Sequence, residues 1–135
     1  MTVAVLTLSI AATVPGATAR AQAGPAPANG HTDFDGDGLD DVFWYGPGSA
    51  SDGVWTSTGA GFDRRSTVVN GDYLPLPGNF RGDGATDILW YAPGPGSDGL
   101  WTASGGGFDR QSLAINGDYR PLVGDFDGNG FADIV

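Results

Sequence analysis

The sequence contains no cysteine, no glutamate and no lysine, and it has one methionine and one histidine. Each absence removes a class of protein. Without cysteine there is no thiol nucleophile, and any cross-link would have to come from something other than a disulfide, such as a bound metal. Without glutamate and lysine the usual fillers of exposed helix faces are missing, which argues against an ordinary helical domain. All sixteen acidic residues are aspartate and all six basic residues are arginine, for a formal charge of −10. An acidic chain with no cluster of Lys or Arg repels nucleic acid and anionic membrane surfaces, so cations are the expected partners. The single histidine, His31, lies outside the repeated units described below, which leaves no zinc-type donor set and no ready Ser-His-Asp assembly. Paired-aspartate glycosidase chemistry is conceivable, but every clustered aspartate has a metal-ligand role to fill. The chain is therefore expected not to be an enzyme.

Glycine and proline are abundant, 24 and 9 of 135 residues. In an aperiodic chain that would suggest disorder. Here four Trp, four Tyr and seven Phe imply a packed core. Val3 to Val14 is a mostly apolar run too short to span a bilayer, and Ala21-Gln22-Ala23 has the small-residue spacing of an export-signal cleavage site. Residues 1–23 are accordingly expected to be a signal peptide, with Gly24 as the mature N-terminus, a secreted location and no membrane insertion. The alternative is an Ala-rich leader. Residues 24–32, with Pro25 and Pro27, suit a linker under either reading.

Internal repetition organises the rest. Asp33-Phe34-Asp35-Gly36-Asp37-Gly38 recurs as Asn79-Phe80-Arg81-Gly82-Asp83-Gly84 and again as Asp125-Phe126-Asp127-Gly128-Asn129-Gly130, with offsets 79 − 33 = 46 and 125 − 79 = 46. Trp44 matches Trp90, Trp55 matches Trp101, Phe62 matches Phe108, and Asn70-Gly71-Asp72-Tyr73 matches Asn116-Gly117-Asp118-Tyr119 at the same spacing. The units are 33–78, 79–124 and the start of a third at 125–135. Within one unit, short β-branched and aromatic runs alternate with turn residues, predicting about four strands: near Tyr73 to Leu76, Asp87 to Tyr91, Leu100 to Ala103 and Gln111 to Ile115. Four short strands in about 45 residues fit a propeller blade, and a flat β-solenoid or an open meander would fit as well.

The acidic loop carries the chemistry. Asp33, Asp35 and Asp37 present carboxylates at alternate positions, Gly38 permits a sharp turn, and Asp41 returns to the same centre. With the Leu39 carbonyl, that set offers hard oxygens at positions 1, 3, 5, 7 and 9, which suits Ca²⁺. The alternative is an Asx-turn loop that binds nothing, which four converging carboxylates disfavour because they repel one another without a cation. EF-hands share those nine positions but need a glutamate at the twelfth and a helix after it. Here the twelfth residue is Trp44, inside the strand-like run Val42-Phe43-Trp44-Tyr45.

Through "DFDGDGLDDVFWY", "NFRGDGATDILWY" and "DFDGNGFADIV", the chain resembles the FG-GAP or VCBS-type repeats of integrin-α-like β-propellers. The resemblance implies an all-β, partial β-propeller of about four antiparallel strands per 46-residue repeat, with calcium-binding loops. It also implies ligands at Asp33, Asp35, Asp37, Leu39 and Asp41 in the first loop and at Asp125, Asp127, Asn129, Phe131 and Asp133 in the third, Leu39 and Phe131 acting through their carbonyls. In the second loop Asn79 and Arg81 depart from the pattern, and a guanidinium there would neutralise Asp83 and Asp87 in place of calcium. Two units and eleven residues of a third suggest a fragment of a longer propeller. Such propellers serve adhesion, ligand binding or protein interaction, or act as non-catalytic, carbohydrate-binding accessories of secreted hydrolases. Arg81-Gly82-Asp83 spells an adhesion tripeptide, but its residues fill fixed positions of the repeat loop. The period-locked tryptophans are expected to pack between blades rather than stack on sugars, and Asp63-Arg64 and Asp109-Arg110 are expected to be structural pairs.

Overall fold

The computed structural model describes residues 31–135; the expected signal peptide and most of the linker lie outside them. The described residues form nine strands and no helix. No helix among them is long and apolar enough to cross a membrane.

Strands β1 (Val42–Trp44), β2 (Asp52–Ser57) and β3 (Phe62–Thr67) make a three-stranded antiparallel sheet in that order. Strands β4 (Leu74–Gly78), β5 (Asp87–Tyr91), β6 (Asp98–Ser104) and β7 (Gly107–Leu113) make a four-stranded one, and β8 (Val123–Gly124) pairs with β9 (Asp133–Ile134). The sheets do not close into a ring. All three are antiparallel, and the two larger ones are meanders, as expected for runs joined by short turn-rich loops.

The strand positions anticipated from sequence are close, with one physical correction at the fourth strand. The β6–β7 hairpin turns on Gly105 and Gly106 alone, both at positive φ (56° and 75°), with Ser104 paired to Gly107. That two-residue turn starts the fourth strand at Gly107, four residues before Gln111, and β7 ends at Leu113. β4 carries Pro75 and Pro77, which cannot donate to a ladder. It accordingly lies at the sheet's edge and pairs with β5 only.

One core joins the two larger sheets. Phe34, Val54, Val69, Ile88, Trp90 and Trp101 are buried together, with Phe43, Tyr45, Tyr73 and Phe108 packed against them. Phe43 meets Trp90, Trp101 and Phe108 at ring-centroid distances of 5.3, 6.2 and 6.1 Å. The expectation that the tryptophans pack between units holds for Trp90 and Trp101, 2% and 7% exposed, but not for Trp44, which is 51% exposed. The sequence places Trp44 and Trp90 in equivalent settings; only Trp90 has another unit's aromatics laid over it.

The arginines of the Asp-Arg pairs do something other than bond their neighbours. Consecutive strand residues point to opposite faces, so Arg64 and Arg110 instead cover Trp55 and Trp101, the residues opposite them in the register, at 4.2 and 3.8 Å.

A tyrosine hydroxyl locks each larger sheet to the segment after it. Tyr45 Oη donates to the Gly71 carbonyl and accepts from Tyr73 N, both at 2.7 Å. Tyr91 Oη repeats this with Gly117 O and Tyr119 N at 2.7 and 2.6 Å. Tyr91→Phe removes one hydroxyl and leaves Tyr119 N without its partner, while the Gly117 carbonyl keeps its bond from Gly94 N at 3.0 Å, so chemical denaturation should show a loss of about 1–3 kcal/mol. A loss near zero would mean that water replaces the hydroxyl at no cost.

Candidate metal loops

The acidic loops lead into β1, β5 and β9, so each loop's last aspartate sits at or beside the first residue of a strand. Glycines at positive φ make the turn: Gly36 and Gly38 in the first loop, Gly128 and Gly130 in the third. The leading aspartate organises the loop from within. Asp33 Oδ1 accepts from Gly36 N and Asp37 N at 2.6 and 3.1 Å, and Oδ2 accepts from Gly38 N at 2.8 Å. Asp125 accepts from Gly128 N and Gly130 N at 2.7 and 2.9 Å.

Among the described residues, two groups of three carboxylates bring oxygens within 4.8 Å of one another: Asp33, Asp35 and Asp37, and Asp125, Asp127 and Asp133. Both groups are oxygen-only, the donor type that hard cations take. Asp41 plays a different local part. Its Oδ2 accepts from Phe34 N at 2.7 Å and its Oδ1 from Ser57 N at 2.7 Å, so it ties the loop to β2. Each oxygen keeps a second lone pair. Leu39 N donates to Asp37 and Phe131 N to Asn129, which curls both loops around positions 5 to 7. Asn129 Nδ2 also donates to Asp127, so its amide bridges the third loop internally.

The carboxylates strain against one another. Burial first, then the neighbouring Asp37 and Asp41 charges, raises the Asp35 carboxyl above its ordinary value. Burial also raises Asp41, with Asp33 and Asp37 adding to it, while the N–H donors of Ser57 and Phe34 pull the other way. A cation among these groups would relieve that repulsion.

The second loop is built differently. Arg81 NH2 reaches Asp83 Oδ2 at 2.9 Å and Asp87 Oδ1 at 3.3 Å, and donates to the Ala103 carbonyl at 2.6 Å. Asn79 Oδ1 is buried without a hydrogen-bond partner.

Two functional-looking carboxylates escaped the sequence reading. Asp52 accepts from Gly46 N and Val69 N at 2.8 and 2.7 Å, and Asp98 from Ala92 N and Ile115 N at 2.9 and 2.6 Å. They clamp the loops on either side of β2 and β6. The available signal was their offset, 98 − 52 = 46, in Ser-Asp-Gly contexts. Comparison with protein-family models, with curated proteins and with solved structures finds no match to the chain.

Proposed function

We propose that this chain is a secreted, calcium-binding repeat module of the FG-GAP or VCBS β-propeller type, serving adhesion, ligand or protein interaction and carrying no catalytic centre of its own. The observation that supports it is the convergence of three carboxylates in the same loop of two repeats, at loop positions 1, 3 and 5 in one and 1, 3 and 9 in the other, the loops starting 125 − 33 = 92 residues, or two periods, apart. Antiparallel meanders of three and four strands, packed unit on unit, are consistent with successive blades.

Calcium in the first loop takes Asp33, Asp35, Asp37, the Leu39 carbonyl and Asp41. In the third it takes Asp125, Asp127, Asn129, the Phe131 carbonyl and Asp133. Its role is structural: it neutralises carboxylates that otherwise repel and fixes the loops that lead into β1 and β9. Extracellular calcium modules bind with dissociation constants of about 10⁻⁴ to 10⁻³ M, so calorimetry at millimolar calcium is the test. The first loop, with four carboxylates, should bind more tightly than the third, with three and the neutral Asn129. Asp35→Ala should remove the tighter site, and Asp127→Ala the weaker. An unchanged isotherm for Asp35→Ala, or no binding by the native chain, would overturn the reading.

A further inference from the structure

We infer that Arg81 is the resident cation of the second loop, so that this loop closes without metal and Arg81 decides which loops of the chain take calcium. The inference rests on the calcium reading for its metal-binding half and on packing alone for the other.

Arg81 occupies the repeat position of Asp35, since 81 − 46 = 35. A side chain there is directed at the loop's remaining carboxylates, and Arg81 meets both of them. Its NH2 bonds Asp83 at 2.9 Å, while its NH2 and Nε fork onto the two oxygens of Asp87 at 3.3 and 3.5 Å. Asp87 is 0% exposed, and a carboxylate so enclosed requires donors and a positive charge around it. Ala103 N supplies one further donor at 2.8 Å.

The backbone shows that this is a substitution of one bonding scheme for another. In the first and third loops the final aspartate accepts from the phenylalanine N–H at position 2: Phe34 N to Asp41 Oδ2 at 2.7 Å and Phe126 N to Asp133 Oδ2 at 2.9 Å. In the second loop Phe80 N turns to Gly78 O at 3.1 Å, and the oxygen it would have served, Asp87 Oδ2, faces Arg81 Nε. Arg81 also donates to the Ala103 carbonyl on β6. The guanidinium thus balances charge and holds the loop against the sheet.

A guanidinium at the loop centre also repels a divalent ion. One oxygen is left over. Asn79 Oδ1, at the first ligand position, is buried and has no donor, and Arg81 does not bond it. Arg81→Asp would put a carboxylate at the third position of the loop, beside Asn79 Oδ1, Asp83 and Asp87, which restores the donor pattern of the other two loops.

The test measures calcium stoichiometry and metal-free melting on the native chain, Arg81→Asp and Arg81→Ala. Arg81→Asp should take up one calcium equivalent more than the native chain. In chelator it should melt about 5 °C or more below native, and calcium should recover the difference. Arg81→Ala should gain no equivalent and should melt lower in chelator, with calcium not restoring its loop. Equal stoichiometry for native and Arg81→Asp, where the native chain binds calcium, would overturn the inference. So would an Arg81→Ala chain that melts like native in chelator, or a native chain that fills three sites. If no variant binds calcium, the calcium reading fails, and the chelator comparison of native with Arg81→Ala alone decides whether Arg81 holds the loop.

Discussion

Trp90→Ala should be the most damaging core substitution in the chain, with a loss of about 3–5 kcal/mol in equilibrium denaturation. Trp90 is 2% exposed and stands where two units meet. Its ring lies 5.3 Å from Phe43, 5.0 Å from Tyr45, 6.1 Å from Tyr73 and 5.2 Å from Trp101, mostly edge-on. The first three belong to the preceding unit, so removing the indole hollows the junction and not merely one sheet. Its indole N–H finds no acceptor, a cost that makes the native packing contribution larger than the net effect of the residue. Trp44→Ala is the matched control. It is the same residue at the same place in its unit, half exposed, and its replacement should cost less than about 1 kcal/mol. Similar losses at the two positions would show that burial at the junction is not what Trp90 contributes.

Asp87→Ala should come close to it, at about 3–5 kcal/mol, for an electrostatic reason. The substitution leaves the Arg81 guanidinium without its buried partner and Ala103 N without its acceptor, while opening space at the start of β5. Asp83→Ala removes an aspartate from the same loop whose side chain is 43% exposed, and should cost far less. The pair separates enclosure from charge count: each variant changes net charge by one, but only Asp87 is shut away from water. Urea midpoints for both variants give the comparison, and near-equal shifts would refute the argument.

Much of this arrangement was legible in the chain as written. The spacing of the acidic loops placed Asp33, Asp35 and Asp37 together, because a hexapeptide turning on two glycines leaves its alternate side chains little choice of direction; in the third loop it is Asp133, the ninth residue, that joins Asp125 and Asp127. β5 was legible from Asp87 to Tyr91 because its bounds are a loop and a Pro-Gly stretch. What escaped is what depends on partners distant in sequence. Arg81 was expected to oppose Asp83 and Asp87, which are two and six residues away, but not to reach Ala103, 22 residues on. Asp52 and Asp98 look like surface residues until the loops they clamp are seen to fold back across β2 and β6. The contrast between Trp44 and Trp90 is invisible locally, since a repeat describes each unit and says nothing about which unit has a neighbour on that side.

The junctions between units have an order in time. Thr86 N donates to Asp33 O at 2.6 Å, Thr86 Oγ1 accepts from Asp33 N at 3.0 Å, and at the next junction Ala132 N donates to Asn79 O at 2.9 Å. In both cases the first residue of a loop is held by a residue 53 positions later, since 86 − 33 = 53 and 132 − 79 = 53. A chain made from its N-terminus at about 5–20 residues per second therefore waits about 3–10 s between producing a loop and producing the residue that secures it. During that interval the aspartates of the first loop have been synthesised but the backbone bonds that anchor Asp33 have not. The first and second loops are each secured by the unit that follows, at a delay of a little more than one repeat.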